Sequence, residues 1–209
     1  MEQIFPDLWQ TQAEHPFHGV TAHAYLLTRA HGNVLFYGTG ALQELQPIRD
    51  LGGIVRQYLS HRDEAGPSLA AIRQAFGSEL CCHALEAQAI RSICPVDVTF
   101  DGRATHMGDI EVIPTPGHTS GSTCYLYRSP HGKTYLFTGD SIVPDGPSWG
   151  TLVLTGAGGR KSDLKNSLGL LRDLEPDLVI SSASVGRSPV QRVSAGEWRG
   201  IVDGAMGRL

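Results

Sequence analysis

The chain has 209 residues, enough for one large domain or two small ones with a sizeable core. Its formal net charge of -4 and its hydrophobic content of 41% are typical of a soluble globular protein, and the lack of a basic run argues against nucleic acid as a partner. The first residues lack the regions of a signal peptide, and no stretch is apolar enough to cross a bilayer, so no membrane partner is expected. The four cysteines have no zinc-ribbon or redox spacing, which favours reduced core thiols in a cytoplasmic protein.

The first half of the chain alternates between predicted strands and predicted helices. Apolar runs indicate strands over residues 4–9, 22–28, 34–37, 54–60 and 80–82. Helical spacing of apolar residues predicts helices over residues 42–51, 68–76 and 84–93. Gly52, Gly53 and Gly77 follow two of these helices and are typical helix stops.

The second half begins with strands and ends with helices. Strands are predicted over residues 96–100, 110–113, 123–127 and 135–137, with a last strand over 178–180. Ser162 or Asp163 is predicted to cap a helix that runs to Leu174, and a closing helix is predicted from Glu197 to Met206. No linker interrupts this pattern, so we predict a single domain over residues 1–209. The element order favours two sheets packed face to face with helices outside, an α+β fold.

Two motifs place metal-competent side chains at the ends of apolar runs. Residues 115–122 read Thr-Pro-Gly-His-Thr-Ser-Gly-Ser and carry His118, and residues 136–140 read Leu-Phe-Thr-Gly-Asp and carry Asp140. The glycines and the proline favour sharp turns, so both side chains are expected at a sheet edge rather than in the core. A neutral imidazole and a carboxylate are normal ligands for zinc, iron or manganese.

Together these two segments resemble the metallo-β-lactamase superfamily, whose glyoxalase II-like members are metal-dependent hydrolases. The resemblance implies a four-layer αββα sandwich with a metal site at one edge. It also implies that His118 is a metal ligand and that Asp140 is the family's metal-bridging carboxylate.

The remaining motifs of the family are incomplete in this sequence. Its signature His-x-His-x-Asp-His corresponds to residues 61–66, which read His-Arg-Asp-Glu-Ala-Gly. His61 keeps the first ligand and Asp63 replaces the second histidine, while Ala65 and Gly66 replace the ligands of a second metal. The final ligand histidine is missing from residues 181–184, and Gly38 stands where the family has a supporting aspartate.

The surviving ligands form one coherent set. The resemblance implies a mononuclear site of His61, Asp63, His118 and Asp140 that holds one divalent metal, with zinc favoured and iron or manganese as alternatives. An alternative register lets Glu64 replace a lost ligand. Each residue also has a structural interpretation: His61 as a cap of the helix at Ser68 or as a turn residue, Asp63 as a solvated carboxylate before that helix, and Asp140 as a turn carboxylate bonded to backbone amides.

We therefore predict a metal-dependent hydrolase that activates water to attack an ester, thioester or lactone-like bond of a small molecule. Asp140, Asp63 or Glu64 is expected to handle protons, because Ala65 replaces the aspartate that usually does so. Arg160, Lys161 and Trp149 are candidate substrate-binding residues in the loops after Asp140. The alternatives are an iron-containing redox member of the family and a metal-free, non-catalytic member that binds a small molecule.

Overall fold

The computed structural model describes residues 1–209 and contains five α-helices and 17 strands. In chain order the strands are β1 (Glu2–Phe5), β2 (Leu8–Gln10), β3 (Val20–Ala22), β4 (Tyr25–Leu27), β5 (Val34–Phe36), β6 (Arg56–Tyr58), β7 (Glu79–His83), β8 (Val98–Phe100), β9 (Ala104–His106), β10 (Ile110–Pro114), β11 (Thr123–Ser129), β12 (Lys133–Gly139), β13 (Val143–Asp145), β14 (Ser148–Gly150), β15 (Leu178–Ser181), β16 (Ala183–Val185) and β17 (Val190–Arg192). The helices are α1 (Leu45–Asp50), α2 (Ser68–Phe76), α3 (Ala84–Arg91), α4 (Lys161–Arg172) and α5 (Ala195–Met206).

The strands form two large sheets and one small sheet. The first large sheet has the order β1-β2-β4-β5-β6-β7-β8, and the second has the order β17-β15-β12-β11-β10-β9. Strands β5 to β8 pair in parallel, as do β12 and β15. The small sheet, β14-β13-β16-β3, joins segments that follow β12 and β15.

The two large sheets pack face to face through alternate residues of their central strands. Tyr25 and Leu27 of β4 face the other sheet, whereas Ala24 and Leu26 face α1 and α2. The rings of Phe36 and Phe137 stack across the interface with centroids 4.0 Å apart. Because both faces of these strands are covered, their sequences are continuously apolar rather than alternating.

Helices cover both outer faces, which confirms the predicted αββα sandwich. Helices α1, α2 and α3 pack on the first large sheet, and α4 and α5 pack on the second. Trp198 of α5 is fully buried and donates a hydrogen bond to the carbonyl of Leu171 in α4. No helix is both long and apolar enough to span a membrane, and all four cysteines are buried and free.

Several element predictions were wrong in detail. Helix α4 begins at Lys161 with Arg160 as its N-cap, so Ser162 and Asp163 lie in its first turn and do not cap it. Strand β15 is not the last, because β16 and β17 follow it. The predicted strand over residues 4–9 is the hairpin of β1 and β2. The additional strands have three residues each, and their pairing depends on tertiary neighbours that local sequence does not reveal.

The ends of four strands meet, beside the start of β11, at one edge of the sandwich. The N–H of Thr123, at the start of β11, donates to the carbonyl of Ser60 after β6, at 3.0 Å. The Tyr37 hydroxyl accepts from the N–H of Gly139 at 2.9 Å and donates to the carbonyl of Ile180 at 2.7 Å. These bonds tie the ends of β5, β6, β12 and β15 together.

Candidate metal centre

His118 lies in the loop between β10 and β11 with a defined tautomer. Its Nδ1 lies 3.0 Å from the carbonyl of Leu152, which can only accept, so Nδ1 carries the proton. Its Nε2 is buried and has no hydrogen-bond partner. The preceding Gly117 has φ of 145°, and a Cβ there would lie 2.3 Å from the Cα of Leu164 in α4. Backbone packing that only glycine permits therefore sets the direction of the imidazole.

Asp140 follows β12 and faces both histidines with one oxygen. The Ser182 hydroxyl donates to Oδ1 of Asp140. The other oxygen, Oδ2, lies 3.6 Å from Nε2 of His61 and 3.8 Å from Nε2 of His118. Ligand atoms of a tetrahedral zinc ion lie roughly 3.4 Å apart, given zinc–nitrogen bonds of about 2.1 Å. Both distances are close to that separation.

His61 completes the buried part of the cluster. Its ring is perpendicular to that of His118, with centroids 4.5 Å apart. Its Nδ1 lies 2.9 Å from the Ser60 hydroxyl and 3.3 Å from Oε1 of Glu64. Pro67 rather than His61 is the N-cap residue of α2, so the helix-cap reading of His61 was wrong.

Asp63 lies on the exposed side of the same cluster. One ligand atom each from His61, Asp63 and His118 lie within 4.8 Å of one another. The structure does not bring Glu64 into this group, because its carboxylate faces Nδ1 of His61 and accepts from the Ser60 N–H at 2.8 Å. Asp140 is not part of this group of three, although its Oδ2 lies near both imidazoles. The two imidazoles, one with an orphaned buried Nε2, and the nearby carboxylates fit a divalent cation.

The two histidines have opposite pKa shifts. Burial alone would lower the pKa of His61, but the carboxylates of Glu64, Asp140 and Asp63 outweigh it and raise the pKa to about 9. Burial lowers the pKa of His118, and the neighbouring charge of His61 lowers it further. In the metal-free protein His61 therefore holds a proton where a metal ion would bind, while His118 stays neutral.

A buried carboxylate that the sequence analysis missed connects the two ligand loops. Glu86 of α3 is fully buried and accepts from the backbone N–H of Arg62 at 3.0 Å and from the Arg62 guanidinium. It also accepts from the N–H of Gly121 at 2.7 Å and from the Thr119 hydroxyl at 3.1 Å. Burial would raise its pKa, but Arg62 and these N–H groups hold the pKa below its usual value. Glu86 lies in a helix with ordinary helical spacing, and a charged residue in such a helix is usually expected at the surface.

Two of the three predicted substrate residues have partners elsewhere in the structure. Trp149 is buried against Trp198 of α5, with ring centroids 6.2 Å apart. Lys161 extends toward the end of the chain, where its Nζ lies 3.3 Å from the carbonyl of Leu209. Arg160 is exposed and forms no ion pair, and its neighbour Gly159 packs against the carbonyl of His118.

Comparisons with known proteins agree with this architecture. The family model described as the metallo-beta-lactamase superfamily matches residues 87–183, a range that contains His118 and Asp140 but not His61 or Asp63. No curated protein matches the sequence.

Several solved metallo-beta-lactamases are similar in fold. A HARLDQ motif mutant of the metallo-beta-lactamase from Cronobacter sakazakii has a TM-score of 0.72 at 16% identity, over 99% of this chain and 95% of that one. The metallo-beta-lactamase from Pontibacter korlensis has a TM-score of 0.72 at 21% identity, over 99% and 96%. The MIM-2 metallo-beta-lactamase has a TM-score of 0.68 at 19% identity, over 90% and 82%.

Proposed function

We propose that this chain belongs to the metallo-beta-lactamase superfamily and that it is a mononuclear hydrolase that cleaves an ester, thioester or lactone-like bond in a small molecule. The observation that carries the proposal is the arrangement of the cluster. The buried Nε2 of His118 has no partner, and Oδ2 of Asp140 lies within 4 Å of both imidazoles. We propose His61, Asp63, His118 and Asp140 as the residues that hold one divalent metal, with zinc favoured over iron or manganese.

The count of one metal is argued from the ligands that a second metal would need. The resemblance implies that the second metal has ligands of its own, and Ala65 and Gly66, which stand at two of those positions, have no side-chain ligand atom. The Ser182 hydroxyl donates to Oδ1 of Asp140, whereas Oδ2 faces the two histidines. These observations support one metal ion on the side of the histidines.

The chemistry divides between the metal and the two carboxylates. A bound divalent cation lowers the pKa of its water toward about 7 and so provides a nucleophile at neutral pH. Asp63, on the solvent side, is the group that would take up the proton of an attacking water as general base. The Ser182 hydroxyl holds the Asp140 carboxylate in place, so that Asp140 would help to orient that water. We further propose that Arg160 polarises the substrate's carbonyl oxygen, since it has no ion-pair partner; Lys161 and Trp149 are weaker candidates because both have partners elsewhere.

Elemental analysis of the purified protein tests the metal count directly. We expect about one equivalent of zinc per chain, and hydrolysis of an ester, thioester and lactone panel that a chelator abolishes and added zinc restores. Two equivalents would contradict the mononuclear site. One equivalent of iron with visible absorption would favour the redox alternative, and a metal-free protein that still binds small molecules would favour the non-catalytic one.

A further inference from the structure

The strongest feature that the proposed function leaves unexplained is the buried carboxylate of Glu64 behind His61. Its side chain is only 6% exposed, although Glu64 lies in a short surface turn next to the exposed Asp63. Oε2 accepts from the N–H of Ser60 at 2.8 Å, and Oε1 accepts from the Ser60 hydroxyl. Oε1 also lies 3.3 Å from Nδ1 of His61. Burying a carboxylate costs desolvation free energy, which these partners offset. A buried Glu64 is therefore expected to have a structural or functional role.

Gly38 and Gly139 pack so closely against Glu64 and Ser60 that neither position has room for a Cβ atom. A Cβ on Gly38 would lie 2.0 Å from the carbonyl oxygen of Glu64 and 3.4 Å from its Cβ. A Cβ on Gly139 would lie 2.2 Å from the Ser60 hydroxyl oxygen. Gly38 stands at the position where the resemblance to the family implies a supporting aspartate. The chain therefore lacks a carboxylate at residue 38, and the backbone of Glu64 lies against this turn while its carboxylate reaches Ser60 and His61.

We propose that Glu64, acting with the Ser60 hydroxyl, is the positioning residue that fixes His61 for metal binding and replaces the missing aspartate of the turn at Gly38. Nδ1–H of His61 donates to the Ser60 oxygen, and the Ser60 hydroxyl donates to Glu64. This orientation keeps the proton on Nδ1 and leaves Nε2 free to face Oδ2 of Asp140. The proposal rests on the proposed metal site, but it concerns how one ligand is held rather than which reaction occurs.

Zinc affinity of the full chain tests the proposal without any activity measurement. Competition with a chromophoric chelator should show that Glu64→Gln binds zinc about 10- to 100-fold more weakly than the wild type, the range typical for loss of a group that orients a metal ligand. Glu64→Asp keeps the charge and should recover part of the affinity. Glu44→Gln is the matched control, because Glu44 is equally buried and paired with the terminal amine of Met1. It should lose stability but keep the zinc affinity.

The outcomes separate this proposal from the proposed function. If wild-type protein binds no metal, the metal site itself is wrong. If wild-type protein binds zinc and Glu64→Gln binds it equally well, only the role of Glu64 is wrong. Should Glu64→Gln fail to fold, NMR of ¹⁵N-histidine-labelled wild-type protein with zinc decides: His61 must carry its proton on Nδ1, and a proton on Nε2 would overturn the proposal.

Discussion

The two halves of the candidate metal centre are held in different ways. His118 and Asp140 stand in tight turns whose glycines allow close backbone contacts, and the His118 tautomer is set by a backbone carbonyl. His61 and Asp63 stand in a turn that is held by two buried carboxylates, Glu64 and Glu86.

The difference between the halves shows how a diverged site can stay organised. The half with intact motifs depends on backbone packing, which does not change with pH. The diverged half depends on buried carboxylates and on a histidine with a raised pKa, so it should respond to pH. Substitutions in the two halves should therefore have different signatures.

The largest effect is expected in the intact half, from His118→Ala. This change removes a buried ligand nitrogen, and the zinc affinity should fall by roughly a thousandfold, equivalent to about 4 kcal/mol. Isothermal titration with zinc measures it. His131→Ala, at an exposed histidine, is the control and should bind zinc like the wild type. Equal zinc binding by both variants would remove His118 from the site.

The next largest effect concerns the link between the halves. Glu86→Ala leaves the buried N–H of Gly121 and the Arg62 guanidinium without their partner, and should lower the free energy of unfolding by about 3 kcal/mol. Chemical denaturation measures this loss. Glu79→Ala breaks an exposed pair with Arg56 and should cost less than about 1 kcal/mol. A similar cost for the two variants would mean that Glu86 does not connect the loops.

A smaller effect is expected at the junction of the two sheets. Tyr37 has φ of 71°, unusual for a non-glycine residue, and its hydroxyl is the acceptor for the N–H of Gly139. Tyr37→Phe leaves that buried N–H unpaired and should destabilise the protein by about 2 kcal/mol in thermal or urea unfolding. Tyr25→Phe is a close control, because the Tyr25 hydroxyl is buried without a partner and its loss should be neutral or stabilising. The opposite ranking would contradict the structure.

The pH dependence of the stability should report the protonation of His61. His61 has a pKa of about 9 in the folded, metal-free protein against about 6.5 when unfolded. The stability it contributes is complete below pH 6.5 and is lost as the pH rises to about 9, by about 1.4 kcal/mol per pH unit at most. Melting temperatures of metal-free protein between pH 6.5 and 9 test this. His61→Asn should flatten the profile, and an unchanged slope in that variant would assign the dependence to another group.

The smallest effect is expected at Asp63. Its carboxylate is exposed, so Asp63→Asn should weaken zinc binding by no more than about tenfold, because water can replace one oxygen ligand. Asp101→Asn, at another exposed aspartate, serves as the reference. A loss as large as that of His118→Ala would show that the exposed ligand is as important as the buried ones.

Local sequence was sufficient for the fold class and for part of the site. The apolar runs of β4, β5, β12 and β15 predicted strands, and the spacing in α2 predicted that helix with its correct ends. The motifs at His118 and Asp140 predicted turns at a sheet edge, because glycine and proline restrict the backbone in the same way in any context.

Only the tertiary structure decided how the diverged half of the site is built. The roles of Glu64 and Glu86 depend on groups far along the chain, such as Gly38 and Gly121, which no local pattern links to them. The same holds for Ser182, whose hydroxyl meets Asp140 across 42 residues, and for Trp149, which packs into the core rather than at the site. Backbone preferences are local and can be seen in the sequence, whereas the pairing of buried charges depends on which chain segments the fold brings together.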